Sequence, residues 1–548
     1  MVLLVGAAVP GSAPTPTVFE EPAVVQSYQE QILPERLAPL LEHFSSDAFA
    51  GRETGTVEAL EAATFLADAY RELGLKPPPG ATGDGAEAYL QEFVLFGPEL
   101  YEATLTAKNA RGSDLLWSFD PHAPGSDIYL AGGTLPTIAG PVEFRGLDRS
   151  AAAMDYDDYA ILHPGHAPRG ASWIMAFAPN DLLQPFESEG AFRSTSTWPR
   201  LNLNVPTSDD GPLPIGFILV ASEERVARES RLVAEVALSV GRLSLEPGSA
   251  PYGYPPVYVI SEDVAEALLD GSGISLDDLR ESERTDGASA RLPLDGVRVT
   301  SHVDFPIRPY TTANVAAYVE GIDPLLRDEF VVISGHYDHV GVNPLLKGDT
   351  IYNGADDNGS GNVAMLEIAR ILQRAKAEGR GPRRSVAFVH FTAEEKGLLG
   401  SRYYADTEPL FPIDFTVANL NLDMIGRTDL NPADPSLASV YVIGSKLVSP
   451  ELHEVIERVN DVTGVDLVLD ERYNSVNDPN QYYRRSDQWN FGRYGIPFVF
   501  FFTGAHEDYH RPSDEADRVD YERLARVSRL IFGTTWQLAN QDHRLKAD

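Results

Sequence analysis

The chain has 548 residues, enough to bury a large core and to divide into two or three domains. Its 81 acidic against 44 basic residues give a formal charge of −37, which argues against nucleic acid and anionic membrane surfaces as partners. With no cysteine there are neither disulfides nor thiolate zinc ligands, so any metal must be held by His, Asp and Glu.

In chain order, Val2 to Ala8 are apolar and precede Pro10-Gly11-Ser12-Ala13. This resembles the end of a secretory signal that lacks its basic start, and a Pro-, Thr- and Glu-containing tail follows. Export, periplasmic or extracellular, is the expectation. No stretch is apolar for long enough to span a bilayer, so stable membrane insertion is not expected. From Gln29 to Leu75 the pattern is helical: Leu37, Leu40, Leu41 and Phe44, then Leu60, Ala63, Phe65, Leu66 and Tyr70, recur at helical spacing. Gly74 and the Pro77-Pro78-Pro79 run close that region, and strand-like runs lie between Tyr89 and Leu105. Residues 130–300 have scattered Gly and Pro and short strands, at Ala160-Ile161-Leu162, Gly216 to Val220 and Pro255 to Ser261. The last runs into a helix over 262–269. No catalytic constellation appears there, and the region reads as an inserted β-rich domain.

From Thr312 the texture changes to alternating strands and helices, which predicts an α/β fold. Strands are expected at 314–319, 330–334, 385–391, 417–422, 439–443 and 496–503. Helices are expected at 362–377, 398–404, 449–462 and 521–538. The fold class expected is a mixed, largely parallel central sheet flanked by helices, with the β-rich insertion.

Ligand-type side chains sit where these strands end. His336 and Asp338 follow one strand, Glu394 and Glu395 a second, Asp423 a third, and His510 a loop after a fourth. Asp356-Asp357 lies in a Gly-rich loop leading into a helix. In open α/β sheets, functional residues gather beyond the carboxyl ends of the strands. Two zinc ions about 3.5–4 Å apart need a bridging carboxylate. Asp356 is the expected bridge, His336 and Asp423 complete one site, and Glu395 and His510 the other. Glu394 is the expected general base. Asp338 is expected to fix the His336 tautomer, and Tyr509 to donate to a developing oxyanion. Taken singly, an acidic pair is usually a solvated loop charge; the ordered combination carries the argument. His390, inside a strand, reads as packed, and His339 and His506 as outer partners of the ligands or as solvent-facing. His43, His122, His163, His166, His302, His453 and His543 have no context that raises them.

Five blocks in order carry a resemblance: Ser334-Gly335-His336-Tyr337-Asp338-His339, Asn353 to Gly361, Phe391 to Ser401, Asn421 to Gly426, and Asp508 to Asp514. Here the chain resembles the M28 zinc peptidases, the di-zinc aminopeptidases and their relatives. The resemblance is strong from Thr312 onward and weak over Gln29 to Tyr129, where Ser45-Ser46-Asp47 to Gly55 looks like the family's amino-terminal helix start. It implies the roles named above, a cis peptide between Asp356 and Asp357, and, through Pro255 to Leu269, a protease-associated-like insertion. It divides the chain into a tail (1–28), an N-terminal part of the peptidase domain (29–129), the insertion (130–300) and the main zinc peptidase domain (301–548). Gln488 departs from the pattern, which often has His there, and is read as bearing on the substrate pocket.

The function expected is a metallo-exopeptidase with two Zn2+ per chain. Most directly it is an aminopeptidase that removes N-terminal residues from peptides through a bridging hydroxide. A carboxypeptidase or dipeptidase on the same site is the alternative, kept open by Arg484, Arg485 and Arg511. A non-catalytic receptor-like ectodomain is a third reading, argued against by the complete ligand set.

Overall fold

The computed structural model describes residues 15–547, apart from 134–136, 147–153, 156–171, 180–181, 185–199, 202–203, 206–213, 238–242, 248–254, 288–289 and 433–436. The signal-like segment at Val2 to Ala8 and the strand expected at Ala160-Ile161-Leu162 lie outside the described residues.

Two eight-stranded sheets organise the rest. The first runs in the order Leu90–Pro98, Ile307–Val319, Ser385–Phe391, Phe330–His336, Thr416–Leu422, Phe498–Phe502, Ser439–Ile443, Val468–Asp470. Its four central strands, from Ser385–Phe391 to Phe498–Phe502, are mutually parallel. Those strands are buried along their whole length, as continuous apolar runs require when both faces of a sheet are covered. On one face, Val331, Ile333, Phe388 and Leu420 pack under the helices Pro34–Phe44, Val57–Glu72, Gly361–Ala377 and Tyr521–Asn540. On the other face Val332, Ala387, Val389 and Phe391 pack with Tyr404, Phe411 and Phe491. The expected mixed, largely parallel sheet flanked by helices is therefore what forms.

The second sheet runs Asp114–Phe119, Glu102–Lys108, Arg291–Asp304, Thr137–Arg145, Trp173–Phe177, Gly216–Ala221, Val257–Ser261, Ile128–Gly132. It has its own core around Trp173, Phe217, Tyr258 and Phe144. Because strands 102–108 and 114–119 pair in this sheet, the boundary expected at 129/130 moves to the connection between Pro98 and Glu102. The alternating apolar pattern there is common to strands of either sheet, so periodicity alone could not assign it. The chain returns to the first sheet between Asp304 and Ile307.

Candidate active site

Four of the five expected ligands, His336, Glu395, Asp423 and His510, meet at the carboxyl ends of the four parallel strands. His336 ends its strand, and Asp423 directly follows Leu422. Glu394 and Glu395 follow Phe391, and His510 lies on the segment after Phe502. Two clusters of donor atoms result, each with all its atoms within 4.8 Å of one another: His336, Asp357 and Asp423, and His339, Asp357, Glu395 and His510.

The shared residue is Asp357, not Asp356. Asp357 Oδ1 lies 3.3 Å from His336 Nε2 and its Oδ2 lies 3.1 Å from His510 Nε2. Asp356 faces the other way: its Oδ1 accepts the Gly426 N–H at 2.7 Å, and Oδ2 lies 3.3 Å from His506 Nε2. The reason is local backbone. Asp357 has φ −102° and ψ 96°, close to extended geometry, in which successive side chains point to opposite sides. The cis peptide joins Asp357 to Asn358, one bond later than expected.

The loop is held by charge. Both carboxylate oxygens of Asp514 accept the Asp356 N–H, and Oδ2 also takes the Asp357 N–H at 3.0 Å. Arg52, fully buried, donates to the carbonyls of Tyr337 (2.8 Å), Phe44 (3.1 Å), Asn353 (2.7 Å) and Gly354 (2.9 Å). Burial lowers its pKa to about 10, against the opposing charges of Asp357, Asp514, Asp338 and Glu395. Gly354, at φ +54°, brings the backbone so close that a Cβ there would stand 2.2 Å from the Asp357 carbonyl oxygen.

Asp338 corrects another expectation. The group against His336 Nδ1 is the Asp338 carbonyl oxygen, at 3.0 Å, whereas its carboxylate stands 3.8 Å away. That carboxylate accepts the Thr54 hydroxyl at 2.8 Å and the Glu394 N–H at 3.1 Å. It therefore aims the Glu394 turn, and the carbonyl fixes the imidazole. Gln488 is likewise fully buried beneath Asp423: it accepts from Asn421 Nδ2 at 2.9 Å and donates to the Tyr483 carbonyl. Ser486 donates to Asp423 Oδ2 at 2.7 Å. Gln488 thus belongs to the scaffold under the site.

Buried carboxylates and imidazoles shift one another in these clusters. Burial alone would neutralise His336, yet the charges of Asp423 and Glu394 and the contacts to Asp357 and Asp423 hold its pKa well above the usual imidazole range. His510, beside Glu395 and Asp357, is pushed up to about 10 against the same burial. Asp357 is held well below the carboxylate range, its burial outweighed by His336 and His510. His336 and His510 thus lean towards the imidazolium form beside these carboxylates, whereas burial lowers the His339 pKa. The donor set of imidazole nitrogen and carboxylate oxygen is one that zinc accepts. Glu394 differs: burial, then the negative charges of Glu395, Asp423 and Asp487 beside it, raises its pKa well above the usual range. Tyr509 stacks on His510 with ring centroids 3.9 Å apart, and burial with the nearby Asp357, Glu395, Glu394 and Asp423 charges raises its pKa.

His339, Asp357, Arg52, Thr54 and Asp514 are not among the metal ligands or catalytic residues expected from the sequence. His339 is fully buried, with Nδ1 3.1 Å from Glu395 Oε1, and its place in the His336-Tyr337-Asp338-His339 run was the available signal. For Arg52 and Thr54 the signal was weaker, a likeness at Gly51-Arg52. His390 is packed as expected: Nδ1 meets the Asn362 side-chain oxygen, and Nε2 lies 2.6 Å from the Tyr70 hydroxyl.

Residues 314–535 match the model of peptidase family M28. This segment belongs to peptidase family M28. Similar curated proteins include Aminopeptidase YwaD of Bacillus subtilis (strain 168), 28% identical over 224 residues, covering 40% of this chain and 43% of that protein. Leucine aminopeptidase 1 of Coccidioides posadasii (strain C735) is 30% identical over 217 residues, covering 38% of this chain and 52% of that protein. The chain thus spans about half the length of the curated relatives it matches. Among solved structures, an aminopeptidase from Aneurinibacillus sp. strain AM-1 aligns over 96% of this chain and 98% of its own at 17% identity, with a TM-score of 0.48. The M28 segment contains every residue of both donor clusters. The residues that clamp them from outside it, Arg52 and Thr54, come from the N-terminal part of the chain.

Proposed function

We propose that this chain is a zinc-dependent metallo-aminopeptidase that uses two zinc ions. The observation that carries the reading is a single carboxylate, Asp357, shared by two buried donor clusters at the ends of the parallel strands, with Glu394 beside them. His336, Asp357 and Asp423 would hold one ion; Asp357, Glu395 and His510, with His339 alongside, would hold the other. When bound, zinc supplies Lewis-acid polarisation of the scissile carbonyl and makes water a usable nucleophile at neutral pH.

The residues of the chain supply the rest. Glu394 is the proton carrier: its raised pKa suits a group that takes a proton from water and returns it to the leaving amine. The Asp338 carboxylate holds the Glu394 N–H and so fixes the turn that presents the side chain. The Tyr509 hydroxyl, kept protonated by burial among carboxylates, is a donor for the developing oxyanion. The reading calls for a substrate that arrives with a free ammonium group. The aminopeptidase names carried by the similar proteins point the same way. Export belongs to the same proposal, supported by the apolar Val2 to Ala8 run. So does the reading of the second sheet as a protease-associated-like insertion, supported by its separate core.

The test is hydrolysis of aminoacyl anilides and of dipeptides blocked at either end, with and without a chelator. Cleavage of free-amine substrates that stops on chelation and returns with zinc is expected. Cleavage of N-blocked but not C-blocked dipeptides would turn the assignment to a carboxypeptidase, and chelator-insensitive cleavage would end the metal reading.

A further inference from the structure

A third group of metal-ligating side chains lies at the far edge of the first sheet, on elements that contribute nothing to the candidate active site. His453 and Glu457 stand one turn apart on the helix Pro450–Val462, and Glu471 directly follows the edge strand Val468–Asp470. Their donor atoms also lie within 4.8 Å of one another. His453 Nε2 is 3.5 Å from Glu457 Oε1 and 3.3 Å from Glu471 Oε1. The imidazole is only 2% exposed, while the two carboxylates reach solvent.

The hydrogen bonds around the ring show what Nε2 lacks. Ser445 Oγ donates its one hydrogen to the Val442 carbonyl at 2.9 Å and accepts from Asn474 Nδ2 at 2.9 Å. It lies 2.8 Å from His453 Nδ1. A hydroxyl whose hydrogen goes to the Val442 carbonyl accepts from Nδ1, the arrangement that leaves Nε2 to face a cation. A partner on one ring nitrogen orients the other, here Nε2, towards the two carboxylates. Nε2 is buried and makes no hydrogen bond, although Glu471 Oε1 is near enough for one. The carboxylate oxygen stands beside Nε2 as an ion-pair partner rather than an aligned hydrogen-bond acceptor. Lys446 pairs with the other oxygen of Glu471, Oε2, and leaves Oε1 turned towards the ring. Zinc bonds of about 2.0–2.2 Å in a tetrahedral arrangement place neighbouring ligand atoms roughly 3.3–3.6 Å apart. The two separations from Nε2 fall at that spacing.

We propose that His453, Glu457 and Glu471 bind one divalent first-row transition ion, zinc in the first instance, as a structural site separate from the active site. The nitrogen donor and the count of three side chains suit zinc and its neighbours better than calcium or magnesium, which prefer all-oxygen shells. The ion would tie the Pro450–Val462 helix to the edge strand of the sheet and to the turn at Ser445, leaving one coordination position for solvent.

The test is metal content of the full chain after equilibration with buffered zinc and gel filtration. It compares the unmodified protein with Glu457→Gln, with Glu471→Gln and with the double variant, each also in an Asp357→Asn background that empties the active site. The double variant is expected to hold about one equivalent less zinc in both backgrounds. Its activity on aminoacyl anilides should be unchanged. In the Asp357→Asn background, zinc should raise Tm only when both glutamates are present. The exposed positions of the two carboxylates favour folding of these variants; His453→Gln gives an independent third. Equal zinc content with and without the glutamates, or a Tm response that persists in the double variant, would overturn the proposal. Because the third equivalent is read in the emptied background, that result stands apart from any failure of the aminopeptidase reading.

Discussion

Asp357→Asn and Asp356→Asn, two nearly isosteric changes one residue apart, should have opposite consequences. Asp357 reaches His336 Nε2 at 3.3 Å and His510 Nε2 at 3.1 Å, so the amide removes a ligand charge from both clusters at once. Loss of an outer-shell partner already costs about 10–100-fold in metal affinity, and loss of a shared direct ligand should exceed about 100-fold at each cluster. Asp356 contacts the Gly426 N–H at 2.7 Å and His506 Nε2 at 3.3 Å instead. Its amide keeps an acceptor for Gly426 and gives up only the charged share of those contacts, about 1–3 kcal/mol of stability. The assay is zinc content after dialysis against a weak chelator, read with aminoacyl-anilide hydrolysis and urea denaturation. Asp357→Asn should be metal-poor and inactive yet folded; Asp356→Asn should keep its metal and be less stable. A folded Asp357→Asn protein with two tightly held ions, or a folded Asp356→Asn protein without them, would refute the assignment of the bridge.

Arg52→Met removes charged donors from four buried carbonyls and should destabilise the fold by about 3–5 kcal/mol in urea titrations. Arg52→Lys should recover only part of this, because an ammonium cannot span all four acceptors. Gly354→Ala meets both a positive φ and the Asp357 carbonyl oxygen 2.2 Å from the new Cβ; displacement of the loop should lower kcat by about 100-fold. Burial holds the His390 pKa at about 3 in the folded chain against 6.5 for the free side chain. The unfolded chain therefore binds the extra proton first. The contribution is full above about pH 6.5 and is lost progressively as pH falls towards 3, by roughly 4–5 kcal/mol in all. In His390→Gln the fall in stability between about pH 5.5 and 4 should be shallower by about 1.4 kcal/mol per pH unit; an unchanged slope would show that His390 does not carry it.

The parallel sheet was legible because its central strands are buried on both faces, which leaves uninterrupted runs such as Phe330 to Ser334 and Ser385 to Phe391. The shared edge of the expected ligands was legible because strands of that kind deliver their last residues to one side. What could not be read was direction. Asp356 and Asp357 are the same residue type in the same loop, and only the near-extended backbone at Asp357 decides which one faces the imidazoles. The start of the second sheet was misplaced for a related reason. Glu102–Lys108 alternates inward and outward as Leu90–Pro98 does, and pairing partners, not pattern, separate them. His453 lacked context in sequence because Ser445 and Glu471 reach it only through folding.

The contact of Thr54 with Asp338 changes what counts as the site. Thr54 Oγ1 accepts the Ala393 N–H at 3.1 Å and donates to Asp338 Oδ2 at 2.8 Å, while Asp338 Oδ1 takes the Glu394 N–H at 3.1 Å. A residue from the N-terminal region thus closes a ring of hydrogen bonds on the turn that carries Glu394 and Glu395. Ala393 sits in that turn at φ +56°, a backbone geometry that needs such support. Burial raises the Asp338 pKa to about 6 even with these donors present, so the ring is a costly group kept in place by its bonds. Arg52, two residues before Thr54, grips the other ligand loop through the carbonyls of Asn353 and Gly354. One short N-terminal segment therefore sets the spacing between the Asp357 loop and the Glu394-Glu395 turn, and an M28 segment cut free of it would keep its ligands but lose the means of holding them apart at the right distance.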